Sequence, residues 1–384
     1  MKKIGILTFH RALNYGAVLQ SYSLVNYLRK RIPDALIEII DYSSSMEARY
    51  YEKKPVSYLL KKFDIKSAWG EYNKKRVFKS FSDNLPISQY HLQSDDIKQL
   101  NEHINNCYDI VISGSDAIFN WSGLKFPTAF FLHDIIKPKL TYAASAHRLF
   151  YRDADSEKIK YVGESIGSLT YFGARDKETE RLASFCGFNG NVHHNCDPAL
   201  LLDIDDIHQK TSERIILKKC GISNAKPIII VMTPDTRVAN VIKAKYEKDY
   251  NIVSLFISNG TFNNTVYSLT PFEWATVFSK AVLTVTEYFH ATILSLLNGT
   301  PVLSLDSLDD TLGYEGKIKD LLTTRLDLPF LYLNKREIIE KGASVITERI
   351  GRIQSDFNAN FVRNSINKEI TSADSFLEHL MKLV

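Results

Sequence analysis

A single histidine marks the junction between two apolar runs in TVTEYFHATILSLLNGTPVLSLD, residues 284–306. The run before His290 is typical of a buried strand, and the run after it is typical of a helix. Because an imidazole titrates near neutral pH, His290 at such a junction could transfer protons or bind an anion at the edge of a sheet. Taken alone, a histidine of this kind is more often a satisfied structural residue than a catalyst.

Arg175 directly follows another apolar run, SLTYFGA, and precedes an acidic segment. An arginine at the end of a strand suits a phosphate or a carboxylate, because its planar fork can donate two parallel hydrogen bonds. A surface ion pair with Glu178 or Glu180 is the structural alternative, and the local pattern leaves both open.

Asp116 follows a third apolar run in YDIVISGSDAIFNW. Its carboxylate could hold or deprotonate a sugar hydroxyl, and Trp121 could offer a ring face on which a sugar stacks. The sequence Gly-Ser-Asp is also a natural turn and helix cap, which is the commoner reason for its occurrence.

Asn14 and Gly16 lie in the junction TFHRALNYGAVLQ, where a strand is predicted to end at Phe9. Backbone amides in a tight loop at this point would suit an anion. An ordinary connection from strand to helix would use the same two residues for their backbone freedom, so both interpretations stay open.

The segment NVHHNCDPALLLD brings together His193, His194, Cys196 and Asp197, which resemble a set of metal ligands. Adjacent residues of a strand point to opposite faces, so the two histidines cannot easily share one ion. We therefore expect no metal here, and we interpret Asp-Pro as a turn that leads into a link between domains.

The elements that must position these residues follow an α/β pattern, because apolar runs of strand length alternate with helix-length amphipathic stretches. The predicted strands lie at 3–9, 35–41, 108–114, 139–145, 168–174 and near 191–196, then at 227–232, 251–257, 281–287, 301–306 and 329–334. A charged stretch at 204–225 separates the two series. We predict two Rossmann-like domains, 1–205 and 206–384, that face each other across a cleft, the second ending in helices. In such sheets ligands bind at the carboxyl ends of the strands.

The composition of the 384 residues excludes several classes of protein. No run of about 18 or more apolar residues occurs, so no membrane-spanning helix is expected. The four cysteines lack the spacing of zinc sites or disulfide frameworks, which favours a reducing cytoplasm. The net charge of +4 is modest and no RNA-binding motif is present, so we expect no nucleic acid partner.

The segment KKPVSYLLKKFDIK, residues 53–66, is basic with interleaved apolar residues. The favoured interpretation is a solvated helix face. The alternative is a peripheral contact with anionic lipid at the inner face of a membrane.

Six segments resemble, in the same order, those of the polysaccharide pyruvyl transferases: NYGAVLQ, YDIVISGSDAIFN, LTYAAS, FGARDKETERL, CDPALLLD and VTEYFHATILSLLNGTPVLSLD. The resemblance extends over roughly residues 4–325. The resemblance implies a GT-B-like fold and transfer of pyruvate from phosphoenolpyruvate to sugar hydroxyls as a ketal. It also implies a role in the synthesis of a cell-surface polysaccharide, such as a capsule or an exopolysaccharide.

The resemblance places catalytic roles on Arg175, on His290 and on Lys317 in YEGK. We take His290 as the acid/base residue, since the reaction needs proton transfer near neutral pH. Cations can stabilise the leaving phosphate, so no metal or other cofactor is expected. The expected donor-binding residues are Arg148, Arg175, Lys317 and the segment Tyr288–His290.

The acceptor, expected to be a lipid-linked sugar, is assigned to the N-terminal domain through Asn14, Gly16, Asp116 and Trp121. The donor is assigned to the C-terminal domain. The oligomeric state is not indicated.

The chain departs from the family at Tyr288, where an arginine often stands, and at His147 in AASAH. Arg148 could supply the missing cation. These departures keep two alternatives open, a GT-B glycosyltransferase that uses a nucleotide sugar and a non-catalytic sugar-binding relative.

Overall fold

The computed structural model describes residues 1–45, 65–121, 126–147, 154–257, 260–262, 265–306 and 316–384, without the side chains at 65–68 and 71. Two sequence predictions fall outside these residues, namely the role of Arg148 and the character of the basic segment over 53–64. The chain forms two compact units. The first comprises Met1–Ser57, Lys79–Leu202 and Ile370–Val384, and the second comprises Tyr58–Phe78 and Asp203–Glu369.

The first unit is built on a sheet of six parallel strands in the order β2-β1-β5-β6-β7-β8. Every residue of β5, β6 and β7 is buried, as expected for central parallel strands that are covered on both faces. All six strands coincide with predicted runs. They are β1 (Lys3–Leu7), β2 (Leu36–Ile39), β5 (Ile110–Ser113), β6 (Lys139–Ala144), β7 (Tyr171–Ala174) and β8 (Val192–His194), and a separate short pair consists of β3 (Tyr42–Ser43) and β4 (Leu92–Gln93).

The second unit is built on another parallel sheet of six strands, in the order β11-β10-β9-β12-β13-β14. Five of these strands coincide with predicted runs. The two-residue strand β11 was not predicted, because it is too short to show a hydrophobic period. The strands are β9 (Ile228–Met232), β10 (Asn251–Leu255), β11 (Thr265–Val266), β12 (Ala281–Thr286), β13 (Val302–Asp306) and β14 (Tyr332–Asn334).

Helices connect the strands and form most of the last fifty residues, as predicted. They are α1 (Tyr15–Arg31), α2 (Ile65–Ser82), α3 (Ile97–Cys107), α4 (Ser156–Gly167), α5 (Lys177–Phe185), α6 (Ile204–Gln209), α7 (Glu213–Lys219), α8 (Thr236–Tyr246), α9 (Pro271–Val277), α10 (Phe289–Leu297), α11 (Lys317–Lys319), α12 (Lys335–Lys341), α13 (Ser344–Asp356), α14 (Ala359–Ile370) and α15 (Ser372–Met381). Within the described part of the chain, no helix combines the length and the apolar character that a membrane span requires.

Each sheet has one point at which the strand order reverses. In the first sheet it lies between β1 and β5, which end at Leu7 and Ser113. In the second sheet it lies between β9 and β12, which end at Met232 and Thr286. Open parallel sheets bind ligands outside the carboxyl ends of the strands at such points. A ligand-binding site is therefore expected at these two edges.

The last helix, α15, belongs to the first unit, whereas the sequence assigned all of 206–384 to the second domain. Phe376 is fully buried, with its ring 4.9 Å from that of Tyr142 and 5.3 Å from that of Tyr171. Cys196 N also donates a hydrogen bond to Ser372 Oγ at 2.8 Å. The apolar side of α15 packs on the first sheet and is removed from water there. The order of the elements along the chain does not reveal this packing.

A buried carboxylate beside the first sheet joins three basic side chains. Asp41 accepts hydrogen bonds from His10 Nε2 at 3.0 Å and from Arg11 Nε and Nη2 at 2.7 Å, and His91 Nδ1 lies 3.1 Å from Asp41 Oδ2. Burial alone would raise the pKa of the Asp41 carboxyl. The hydrogen bonds from His10 and Arg11 and the charges of these groups hold the pKa well below its usual range.

Because the folded-state pKa of Asp41 is depressed, its contribution to stability is present above the unfolded-state pKa of about 3.9. That contribution is lost as the pH falls toward the folded-state value. We expect Asp41→Asn to destabilise the protein by about 1–3 kcal/mol at neutral pH, because charged hydrogen-bond partners lose their carboxylate. The difference from wild type should shrink as the pH falls from about 5 to about 2, as measured by urea unfolding at a series of pH values.

Asp83→Asn, at an exposed carboxylate of the same unit, is the control and should stay within about 0.5 kcal/mol of wild type throughout. A loss of stability in Asp41→Asn that is the same at every pH would contradict the role assigned to its charge.

Candidate functional site

Arg175 follows β7 and is buried among carboxylates of its own unit. Its Nη1 donates to Asp197 Oδ2 at 2.7 Å, its Nη2 donates to Asp116 Oδ1 at 3.4 Å, and its Nε lies 3.9 Å from Asp176 Oδ2. Burial disfavours the guanidinium charge, but the carboxylates of Asp197, Asp116 and Asp176 outweigh this effect and raise the pKa of Arg175 above its ordinary value. Arg175 is therefore a fixed positive charge inside the first unit.

The surface ion pair that the sequence left open for Arg175 is not present. Its side chain is only 5% exposed, and Glu178 accepts a hydrogen bond from Arg181 instead. Its guanidinium group, expected to meet the phosphate or carboxylate of a donor, contacts carboxylates of the chain. The expected contact of Arg175 with the donor stays a prediction.

Asp197 is the most deeply buried of the three carboxylates, with a side chain 1% exposed. Its Oδ2 accepts from Arg175 at 2.7 Å and from Gln20 Nε2 at 2.6 Å, and its Oδ1 accepts from Ala199 N at 2.9 Å. The predicted turn at Asp-Pro is present, since Asp197 caps the short helical turn Pro198–Leu201. The sequence missed its contact with Arg175, and no signal pairs it with Gln20, which lies 177 residues away.

Asp176 caps helix α5 and is fully engaged by neighbouring hydroxyl and amide groups. Its Oδ2 accepts from Ser145 Oγ at 2.5 Å, and its Oδ1 accepts from Thr179 Oγ1 at 2.7 Å and from Thr179 N at 3.0 Å. Asp176 directly follows Arg175 in the segment FGARD, and this position could have identified it as a neighbour of the Arg175 guanidinium group.

Asp116 lies just beyond β5, at the point where the first sheet reverses its strand order. Its backbone has φ 76°, in the left-handed region that residues other than glycine seldom adopt. Gly114, two residues before Asp116, lets the backbone pass close to Tyr142, because a Cβ at Gly114 would lie 2.1 Å from the carbonyl oxygen of Tyr142. The side chain of Asp116 is 19% exposed and therefore remains accessible from solvent.

Of the other three residues assigned to the acceptor, one caps a helix and two are buried. Asn14 caps α1, where its Oδ1 accepts from Gly16 N at 2.9 Å and from Ala17 N at 3.4 Å. Gly16 is buried inside the first turn of that helix. Trp121 is 5% exposed and packs in the hydrophobic core, so the expectation that a sugar stacks on its ring face is not met.

Of the four residues considered as metal ligands, His194 is the last residue of β8, and the other three contact different partners. The ring of His193 stacks on that of Tyr171, with 4.4 Å between their centroids. Cys196 Sγ lies 3.5 Å from the hydroxyl of Tyr142, and Asp197 accepts a hydrogen bond from Arg175. Among the described residues, no group of three or more His, Cys, Asp or Glu side chains is placed to hold a metal ion.

His290 is the second residue of α10, which begins directly after β12 at the reversal point of the second sheet. The side chain is partly buried, and its ring meets that of Phe289 edge-on at 5.3 Å. Tyr288 precedes the helix as its N-cap and is 43% exposed. The sequence-predicted position of His290, between a strand and a helix, is therefore present.

Lys317 begins the short helix α11 in the same unit and is partly buried. Residues 307–315, which include the first two residues of YEGK, lie outside the described part of the chain. The expected role of Lys317 in donor binding stays a prediction.

A charged network that the sequence did not predict includes Glu287, three residues before His290 in the chain. Glu287 accepts hydrogen bonds from Thr233 and, at 3.0 Å, from Lys335 Nζ, which lies 3.1 Å from Asp235 Oδ2. The hydrogen bonds of Arg237 and Lys335 hold the pKa of Asp235 well below its usual range. Glu287 and Tyr288 are adjacent in the chain, so this network fixes the turn between β12 and α10.

The fold resembles solved structures of sugar-nucleotide enzymes. UDP-GlcNAc 2-epimerase from Neisseria meningitidis, bound to UDP-GlcNAc, has a TM-score of 0.57 at 11% identity, covering 100% of both chains. UDP-N-acetylglucosamine 2-epimerase from Rickettsia bellii has a TM-score of 0.55 at 10% identity, covering 100% of this chain and 96% of that one. The S. aureus MnaA–UDP structure has a TM-score of 0.52 at 13% identity, covering 100% and 98%. These likenesses confirm the predicted fold, α/β with parallel sheets, GT-B-like, with C-terminal helices.

The sequence identifies the family of the chain, whereas the fold alone does not. No curated protein matches the chain. A family model described as polysaccharide pyruvyl transferase matches residues 14–309, which include Asp116, Arg175 and His290 but not Lys317. The match covers most of the 384 residues and confirms the resemblance seen in the six segments. The chain therefore belongs to the polysaccharide pyruvyl transferase family.

Proposed function

We propose that the protein, a transferase by its family, moves pyruvate from phosphoenolpyruvate to two hydroxyls of a sugar as a ketal. The sugar belongs to a cell-surface polysaccharide or to its lipid-linked precursor. The observation that carries the proposal is the family match over residues 14–309. We also propose a cytoplasmic location, because the four cysteines are free thiols.

The placement of His290 supports its role as the acid of this reaction. It lies at the reversal point of the second sheet, where open parallel sheets bind ligands. Its imidazole gives a proton to the methylene carbon of phosphoenolpyruvate, which becomes a methyl group. The amides of the first turn of α10 favour the negative charge of the donor, and Lys317 adds a positive charge in the same unit.

A thermal-shift screen tests the choice of donor. A ligand that binds only the folded protein stabilises it by about 2.7 kcal/mol at a hundred times its Kd. We expect phosphoenolpyruvate to raise the melting temperature, while inorganic phosphate at the same ionic strength has a smaller effect. Stabilisation by UDP- or GDP-sugars alone would favour a nucleotide-sugar glycosyltransferase instead.

A further inference from the structure

We infer that Arg11 and His91 form a binding site for a phosphate or diphosphate group on the first unit, and that this group belongs to the acceptor. The inference rests on the proposed function. It narrows the acceptor to a sugar that carries phosphate, linked either to a lipid or to a nucleotide. Every residue that carries the inference belongs to the first unit.

The site lies at the carboxyl edge of the first sheet. Arg11 comes four residues after the end of β1, a strand that borders the point at which the strand order reverses. Asp41 comes two residues after the end of β2, which pairs with β1. Open parallel sheets bind ligands beyond the carboxyl ends of their strands, so this is a region where a ligand is expected.

Asp41 holds the guanidinium group of Arg11 in one orientation. Arg11 Nε donates to Asp41 Oδ1 and Arg11 Nη2 donates to Asp41 Oδ2, both at 2.7 Å, and the Asp41 side chain is only 8% exposed. The side chain of Arg11 is 42% exposed, and its Nη1 has no partner among the residues that the structure describes. Nη1 can therefore donate to an anion from a guanidinium group that is already oriented.

His91 places a second donor beside this guanidinium group. His91 Nδ1 lies 3.3 Å from Arg11 Nη2, and arginine can only donate, so this hydrogen bond puts the ring hydrogen of a neutral His91 on Nε2. The side chain of His91 is 41% exposed. Its segment is fixed to Asp41, because Leu92 N donates to the Asp41 carbonyl oxygen at 2.8 Å and Asp41 N donates to Ser88 Oγ at 2.9 Å.

The charges of these groups favour an anion. Both ring nitrogens of His10 face oxygen acceptors, since Nδ1 lies 3.1 Å from Thr8 O and Nε2 lies 3.0 Å from Asp41 Oδ1. A ring that donates to both is protonated, and its charge then balances that of Asp41. In the described part of the chain no second carboxylate pairs with Arg11, so the charge of Arg11 is left for a bound anion.

The sequence favoured an anion at the same junction but assigned it to backbone amides near Asn14 and Gly16. Those residues form the start of α1, whereas the donors that point to an anion are the side chains of Arg11 and His91. The phosphate of the acceptor is not a reactant in ketal formation. A site that holds it therefore anchors the acceptor and contributes to the binding of the substrate and of the transition state alike.

Calorimetry with inorganic pyrophosphate tests the site without the reaction. We expect the wild type to bind pyrophosphate and Arg11→Gln to weaken its Kd about 10- to 100-fold, because charge-assisted hydrogen bonds are lost. His91→Ala removes one neutral donor and should weaken the Kd about 3- to 10-fold. This second variant keeps the contact between Arg11 and Asp41, so it tests the site even if Arg11→Gln lowers the stability of the protein.

Arg181→Gln is the matched control. Arg181 is an arginine of the same unit with a side chain 46% exposed, and it contacts Glu178, a carboxylate that is 7% exposed. The Kd of this variant for pyrophosphate should equal that of the wild type. A wild type that does not bind pyrophosphate, or equal weakening by the two arginine substitutions, would overturn the site.

Phosphate-release kinetics test the assignment of the site to the acceptor. Sugars linked through diphosphate to a lipid and to a nucleotide are assayed separately, each with phosphoenolpyruvate as donor. For the acceptor that the wild type uses, Arg11→Gln should raise KM about 10- to 100-fold and leave kcat within about threefold, and the acceptor that responds in this way identifies the source of the phosphate.

Two results would overturn this assignment, namely an unchanged KM for the acceptor and a Kd for phosphoenolpyruvate weakened as much as that for pyrophosphate. The proposed function fails by a different result. A wild-type protein that binds pyrophosphate through Arg11 but releases no phosphate from phosphoenolpyruvate would overturn the proposed function and support the anion site.

Discussion

His290→Gln is expected to lower the turnover number for phosphate release by about 10²–10⁴-fold, the range typical of a positioned acid/base group. Glutamine keeps a similar length and a hydrogen-bonding tip but cannot give a proton to carbon. His290 lies at the start of α10 and is partly buried, so the substitution should leave the melting temperature close to that of wild type. Single-turnover kinetics with saturating phosphoenolpyruvate would separate the chemical step from donor binding.

His208→Gln is the matched control for this substitution. His208 Nε2 lies 2.8 Å from Asn298 Oδ1, at the opposite end of the same helix α10, and the histidine is also partly buried. We expect His208→Gln to retain wild-type turnover. A His290→Gln protein with a near-wild-type rate would remove His290 from the chemical step.

Arg175→Ala is expected to have the largest effect on stability, about 3–5 kcal/mol, because it leaves buried carboxylates without their cation. Asp197, 1% exposed, would lose its charged partner Arg175 and keep the neutral hydrogen bonds from Gln20 and Ala199. Urea unfolding measures the loss. In a double-mutant cycle, Asp197→Asn should restore part of the stability lost in Arg175→Ala, since the uncompensated charge is then removed.

Arg181→Ala supplies the comparison for an exposed arginine. Arg181 lies on the following helix, α5, with a side chain 46% exposed, and donates to Glu178. Its removal should cost no more than about 1 kcal/mol. Equal losses in the two variants would mean that the cluster around Arg175 contributes no more than a surface ion pair.

The fold could be predicted from the sequence because the signals are local. Eleven predicted strands coincide with strands of the two parallel sheets, since parallel strands buried on both faces appear as continuous apolar runs. The attachment of α15 to the first unit could not be predicted in this way. Its Phe376 contacts Tyr142 and Tyr171, and no periodicity links residues so distant in the chain.

The candidate site was predicted in part. Asp116, Arg175 and His290 were singled out because each follows an apolar run. The structure places each of them within four residues after the last residue of a strand. The partners of Arg175 were missed, because Asp116 and Asp197 are brought to it from 59 and 22 residues away. Trp121 was expected to be accessible, but its aromatic type predicts a core position equally well.

The most direct test is phosphate release by the wild-type protein from phosphoenolpyruvate, with a panel of lipid-linked and nucleotide-linked sugars as acceptors and with product analysis by mass spectrometry. We predict that at least one acceptor yields one phosphate for each pyruvate ketal formed. Binding of phosphoenolpyruvate without phosphate release for any acceptor, or consumption of a nucleotide sugar in its place, would contradict the account.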